Sequence, residues 1–165
     1  MKEEFLELCL KLNISKRISF KVSEKLESLV NASNDSIAFE THNNKKFKYL
    51  ELVFKSEKHL PIKIFICENE LNVFIGKSNS LFWEDFEIEE ENKDMFFEEG
   101  LNMLFNFSIK EIIYNSGNIE FMNTKKDEIF FSSKKLFSFL YPKKKSKDYT
   151  YTPWSFNSEP DGADM

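Results

Sequence analysis

The feature that most limits what this chain can fold into is the run from Phe47 to Ile88, where apolar and polar residues alternate between short turn-forming pieces. A period of two belongs to strands with one buried face, because successive side chains leave a strand on opposite sides. Phe47–Lys55 is expected as one strand. Leu60–Cys67 is the next, with Ile62, Ile64 and Ile66 facing one way and Lys63, Phe65 and Cys67 the other. Glu68-Asn69 makes a two-residue turn, and Glu70–Gly76 returns with Leu71, Val73 and Ile75 inward. Lys77–Ser80 turns again and Leu81–Ile88 closes the series. Together with a short strand at Ile37–Thr41 and its connection His42–Lys46, this predicts an antiparallel meander of about five strands.

Helical periods flank the meander. Phe5, Leu6, Leu8, Cys9 and Leu12 recur at three- and four-residue intervals, which predicts an amphipathic helix over Lys2–Leu12. Lys16–Val30 places Ile18, Val22, Leu26, Leu29 and Val30 on one face, with Ser15 as a candidate N-cap, although Arg17–Val22 also alternates as a strand would. Lys93–Phe107 predicts a third helix with Phe97, Leu101, Leu104 and Phe105 toward the core, and acids in its first turns suit the helix dipole. Ile109–Tyr114 and Ile119–Asn123 flank the turn Asn115–Asn118 as a hairpin, and Glu128–Ser132 adds a strand. Lys134–Tyr141 fits a short helix or an edge strand equally well. The class expected is α+β: N-terminal helices, the meander, a helix, then further antiparallel strands. Residues 1–142 form one domain and 143–165 a flexible polar tail, whose aromatics Tyr149, Tyr151, Trp154 and Phe156 are the part able to dock back.

The 165 residues suffice for one core, and 41% hydrophobic with 31% charged residues is a globular composition. The 19 phenylalanines fill much of that core and leave few inward positions for polar chemistry. A net charge of −5 opposes general affinity for phosphate backbones, so nucleic acid is not an expected partner. Lys143–Lys147 beside Tyr149, Tyr151 and Trp154 is the one stretch with the composition of a single-strand stacking surface. The start Met1-Lys2-Glu3-Glu4-Phe5 lacks the basic region of a signal peptide, and no apolar run reaches the ~18 residues of a membrane span. A cytoplasmic protein with no membrane partner is expected. Cys9 and Cys67 lie far apart without metal-ligand spacing and read as reduced thiols.

Catalytic signatures are lacking. His42 and His59 are the candidates for acid–base work, each beside lysines and neither at a motif spacing from Ser, Cys or Asp. Gly76-Lys77-Ser78 resembles the end of a phosphate-binding loop, but Leu71 stands where that pattern needs glycine, and a strand rather than a helix follows. It reads as a hairpin turn. No cofactor or metal pattern is present, and Glu89–Glu91 with Asp94 lacks the spacing of a calcium loop. The distinctive stretch is acidic: positions 84, 85, 87, 89, 90, 91, 94, 98 and 99 are acids against the single base Lys93. Acids beside aromatics combine steering with anchoring, so Trp83, Glu84, Asp85, Phe86, Glu87, Glu89, Glu90 and Glu91 are the expected partner-binding residues, with Trp83 equally suited to the core. The function expected is non-enzymatic: a protein-binding protein of the immunity type, neutralising a basic, nuclease-like toxin domain. The alternatives are a dimeric secretion or effector chaperone, and an enzyme using His42 or His59.

Overall fold

The computed structural model describes residues 2–30, 36–43, 48–68, 70–86, 99–141 and 143–154. Two helices open the chain, α1 (Lys2–Lys11) and α2 (Lys16–Val30), each with its apolar stripe at helical spacing: Phe5 and Cys9 on one, Ile18, Val22 and Leu26 on the other, all buried. The turn between them is set by Asn13, which takes a left-handed φ of 58°. Ile14 N–H bonds to Cys9 O at 2.9 Å and Asn13 N–H to Leu10 O at 3.2 Å, the paired closure of a Schellman motif. Asparagine tolerates that conformation, and Ile14 just beyond it drops into the core.

The alternating run then folds as predicted. Strands β1 (Ser36–Asn43), β2 (Lys48–Lys55), β3 (Ile62–Ile66), β4 (Glu70–Ile75) and β5 (Ser80–Phe86) form one antiparallel sheet in sequence order. Register lines up a row across all five strands, Phe39–Leu52–Ile64–Val73–Trp83, on the face that meets the helices. Leu52, Ile64 and Val73 are essentially inaccessible to solvent, and each contributes about 1.5–3 kcal/mol by leaving water. The opposite face carries Glu40, His42, Tyr49, Glu51, Phe65 and Phe74, where Tyr49–Phe65 and Phe65–Phe74 ring contacts of 5.7 and 5.5 Å run across three strands.

A short helix α3 (Leu101–Asn106) buries Leu101, Leu104 and Phe105, three of the four positions expected to face inward. The fourth, Phe97, and the start of that expected helix lie outside the described residues. A second antiparallel sheet follows, from β6 (Ile109–Tyr114), β7 (Ile119–Asn123), β8 (Glu128–Ser133) and β9 (Lys145–Tyr151) in the order β8-β7-β6-β9. Phe82 of β5 meets Phe131 and Phe130 of β8 at 5.4 and 6.2 Å, joining the two sheets.

The boundary expected after residue 142 falls elsewhere. Lys145–Tyr151 pairs along the whole of β6, from Tyr114↔Lys145 to Ile109↔Tyr151. Beyond the strand, Thr152 N–H bonds to Lys58 O, Trp154 N–H to Phe105 O, and the Trp154 indole N–H to Leu60 O at 2.8 Å. Tyr151 and Trp154 are 2% and 1% exposed. The lysines that made this stretch look like a tail occupy the solvent side of an edge strand, a common way to guard such an edge. Its aromatics complete the core, and residues 155–165 lie outside the described part.

Candidate functional site

Of the residues expected to bind a partner, Trp83, Glu84, Asp85 and Phe86 lie on β5. Trp83 sits in the core-facing row opposite Val73 and packs against the buried cluster, so its ring belongs to the packing. Glu84, Asp85 and Phe86 continue β5 in register with Asn72, Leu71 and Glu70. Glu87, Glu89, Glu90 and Glu91 lie outside the described residues.

The turn Gly76–Asn79 does bind an anion, but one supplied by the chain itself. Glu111 on β6 is 0% exposed and reaches into this turn. Lys77 N–H donates to its Oε2 at 3.0 Å, Ser78 N–H to its Oε1 at 2.9 Å, and the Tyr151 hydroxyl to Oε2 at 2.6 Å. A Cβ at residue 76 would stand 2.6–2.8 Å from three carboxyl atoms, and φ there is +77°, so only glycine lets the carboxyl approach. Burial, then the bond to Glu111, pushes the Tyr151 hydroxyl pKa far above its ordinary value. The three donors account for this carboxyl as a latch between the two sheets.

The two histidines do not share a site. His42 on β1 pairs across from Tyr49 near the start of β2, while His59 follows the end of β2 at Lys55, about 20 Å further along the strand. His59 Nδ1 lies 3.1 Å from both the carbonyl and the hydroxyl oxygen of Thr152, and its ring leans on Trp154 at 4.8 Å. It is a stitch between the β2–β3 connection and the end of β9. His42 stacks on Tyr49 at 4.4 Å, with Nε2 3.2 Å from Glu51 Oε2 and 3.9 Å from Glu40 Oε2. Cys9 is buried, which raises its thiol pKa, and Cys9 and Cys67 are not joined in a disulfide.

The basic stretch is likewise structural. Lys143 Nζ donates to Glu120 Oε1 at 2.6 Å and lies over the Tyr114 ring, whose hydroxyl donates to Glu120 Oε2 at 2.6 Å. Burial opposes ionisation of Glu120, but the bonds from Lys143 and Tyr114 outweigh it and hold its pKa below the ordinary value. Asp148 bonds Lys145 and pairs with Lys110, which hold its carboxyl low. Lys77 lies over Tyr149 at 4.4 Å. With Tyr151 and Trp154 buried, the aromatics are not laid out for stacking bases.

The segment between β8 and β9, expected as a short helix or an edge strand, forms a short 3₁₀ helix and no strand, and what the sequence reading missed is its exposure. A 3₁₀ turn at Ser138–Leu140 throws its apolar side chains outward: Leu136 is 85% exposed, Phe139 80%, Leu140 66%, Tyr141 63% and Phe137 57%. The loop is held at its base. Lys135 N–H bonds to Asn118 Oδ1 at 3.1 Å and Asn115 N–H to Lys144 O at 2.8 Å. Phe137 holds a left-handed φ of 64°, a conformation that costs a bulky residue free energy. Beside it runs an open groove of ≈ 680 Å³ whose lining includes Glu120, Ser132, Lys135, Phe137 and Tyr141. The available signal was composition: Leu-Phe-Ser-Phe-Leu-Tyr packs five large apolar residues into six, with lysines on both sides and a spacing that fits helix and strand equally.

No protein-family model, curated protein or solved structure matches this chain. No helix among the described residues is long and apolar enough to cross a membrane.

Proposed function

We propose that this protein is a non-enzymatic binding protein that docks another protein through the Leu136–Tyr141 loop. The observation that carries the reading is five large apolar side chains exposed within six residues on a loop whose base is hydrogen-bonded. Monomeric proteins rarely leave such a contiguous patch in water without use for it. Burying one such side chain in a partner is worth about 1.5–3 kcal/mol. A loop already fixed in shape loses little conformational entropy on docking. Lys134, Lys135, Lys143 and Lys144 frame the loop, so an apolar slot rimmed by acids is the complementary surface.

A second reading, an immunity-type inhibitor of a basic, nuclease-like toxin domain, is favoured by the nine acids against one base between Glu84 and Glu99. The two readings separate in one experiment. Affinity capture is run with the wild-type chain, with Phe139→Asp/Leu140→Asp, and with Glu89, Glu90 and Glu91 each changed to Lys. A partner lost only with the loop variant supports the loop reading; one lost only with the charge-reversed chain supports the inhibitor and refutes the loop. Loop-dependent sedimentation with anionic lipid vesicles, without any protein partner, refutes both.

A further inference from the structure

We propose that Glu40, His42 and Glu51 form a site for one divalent transition ion of the zinc type, separate from the docking loop and independent of it. The site is prearranged by strand register. Glu40 and Glu51 are direct cross-strand partners in the β1–β2 pair. Like charges placed so close oppose the pairing of their own strands, so a cation between them removes a cost that the fold otherwise carries. His42 stands two residues from Glu40 on the same face, and the donor atoms of all three side chains lie within 4.8 Å of one another.

The distances suit a small ion. With bonds of about 2.0–2.2 Å, the donors of a tetrahedral site stand about 3.3–3.6 Å apart. His42 Nε2 and Glu51 Oε2 are 3.2 Å apart already, and Glu40 Oε2 is 3.9 Å from the same nitrogen. Glu40 is the side chain with room to close in, at 56% exposure against 14% for Glu51. A second observation, outside the cluster, concerns the ring. His42 is stacked on Tyr49 at 4.4 Å, and Tyr49 in turn leans on Phe65. That aromatic wall fixes the imidazole plane with Nε2 toward both carboxylates, the preorganisation a ligand histidine needs. One imidazole with two carboxylates suits zinc and its neighbours, whereas calcium and magnesium favour all-oxygen shells of higher number. Three protein ligands leave a fourth position for water or a substrate donor.

The test uses zinc chloride alone, titrated calorimetrically into the full-length chain in a non-chelating buffer. One ion per chain is expected, with binding weakened at least ~10-fold in Glu51→Gln and in His42→Gln and unchanged in Cys67→Ser. The chain has two histidines, so NMR reads the site directly: zinc moves the His42 imidazole signals and leaves those of His59. Far-UV circular dichroism establishes that each variant is folded; should His42→Gln fail it, Glu40→Gln at the exposed ligand takes its place. No uptake by the wild-type chain, uptake unaffected by these substitutions, or zinc shifts confined to His59 or lost with Cys67→Ser overturns the assignment.

Discussion

Replacing Glu111 with glutamine keeps the volume and shape of the side chain while changing one acceptor into a donor, so it isolates the hydrogen bonding of the inter-sheet latch. Glu111 accepts two bonds at Oε2, from Lys77 N–H and the Tyr151 hydroxyl, and one at Oε1, from Ser78 N–H. The best orientation of the glutamine amide keeps its oxygen toward the first two donors. Its NH2 then faces the Ser78 N–H, leaving a half-buried backbone donor and a fully buried side-chain amide donor opposed. One buried unsatisfied donor costs about 1–3 kcal/mol, and the two surviving bonds weaken from charge-assisted to neutral strength. The expected loss is therefore about 2–4 kcal/mol, a large share of the roughly 5–15 kcal/mol that holds a domain together.

Urea unfolding, followed by the fluorescence of Trp83 and Trp154 and by far-UV circular dichroism, measures this. With a slope of about 2 kcal/mol/M, the midpoint falls by about 1–2 M at unchanged slope. Tyr151→Phe removes one donor and leaves the carboxyl two, so its cost is smaller, about 1–2 kcal/mol. The double variant loses less than the sum of the singles, because both act on one bond. A Glu111→Gln midpoint indistinguishable from wild type, or strictly additive losses with Tyr151→Phe, refutes the latch.

Trp154→Ala removes the indole bonded to Leu60 O and edge-on to Phe54 at 5.8 Å; a loss of about 3–5 kcal/mol in urea unfolding is expected, and a loss under ~1 kcal/mol would return residues 143–154 to the status of a tail. Acid stability depends on Glu120, whose folded pKa lies below its ordinary value of 4.5. A depressed carboxylate stabilises above its unfolded pKa, so this contribution is complete above about pH 4.5 and is lost as pH falls below it. Glu120→Gln flattens that part of the urea-midpoint profile, and an unchanged profile counts against the Lys143–Glu120–Tyr114 cluster. At the alkaline end Tyr151 is raised above its ordinary value of 10.0, first by burial and then by Glu111. The unfolded chain thus gives up this proton first, stability declines as pH rises above about 10, and tyrosinate absorbance from Tyr151 develops together with unfolding; its appearance in still-folded protein would contradict the burial.

Legibility in the sequence followed how local the physics is. The meander was readable because each strand declares its buried face through its own alternation, and Ile62, Ile64 and Ile66 against Leu71, Val73 and Ile75 leave one sensible register. The helices were readable from Phe5, Cys9, Ile18, Val22 and Leu26 for the same reason. Glu111 was invisible, since β6 reads as an ordinary strand and the partners of its carboxyl sit 33 to 40 residues away. Strand β9 was hidden by its own defence, the lysines of an exposed edge. The Glu40–His42–Glu51 grouping needed the β1–β2 register, because Glu51 lies beyond a turn whose length alone does not fix which residues face each other.

The docking loop was legible only as an ambiguity, because its spacing suits helix and strand alike and nothing local says which residues stay in water, and it yields the sharpest separation of stability from function. Core apolar residues such as Leu52, Ile64 and Phe121 contribute by burial, so changing them destabilises the fold. At 85%, 80% and 66% exposure, Leu136, Phe139 and Leu140 have little burial to lose. Serine at all three positions should leave the urea midpoint within the error expected for surface substitutions, about 0.5 kcal/mol each. The same variant should lose partner capture, since the side chains meant to leave water on docking are gone. Strand register and the Glu111 latch are untouched by these changes, so a loss of more than about 2 kcal/mol in stability would mean that the loop packs against its own domain. In that case its apolar side chains are part of the core, and the binding role assigned to them fails.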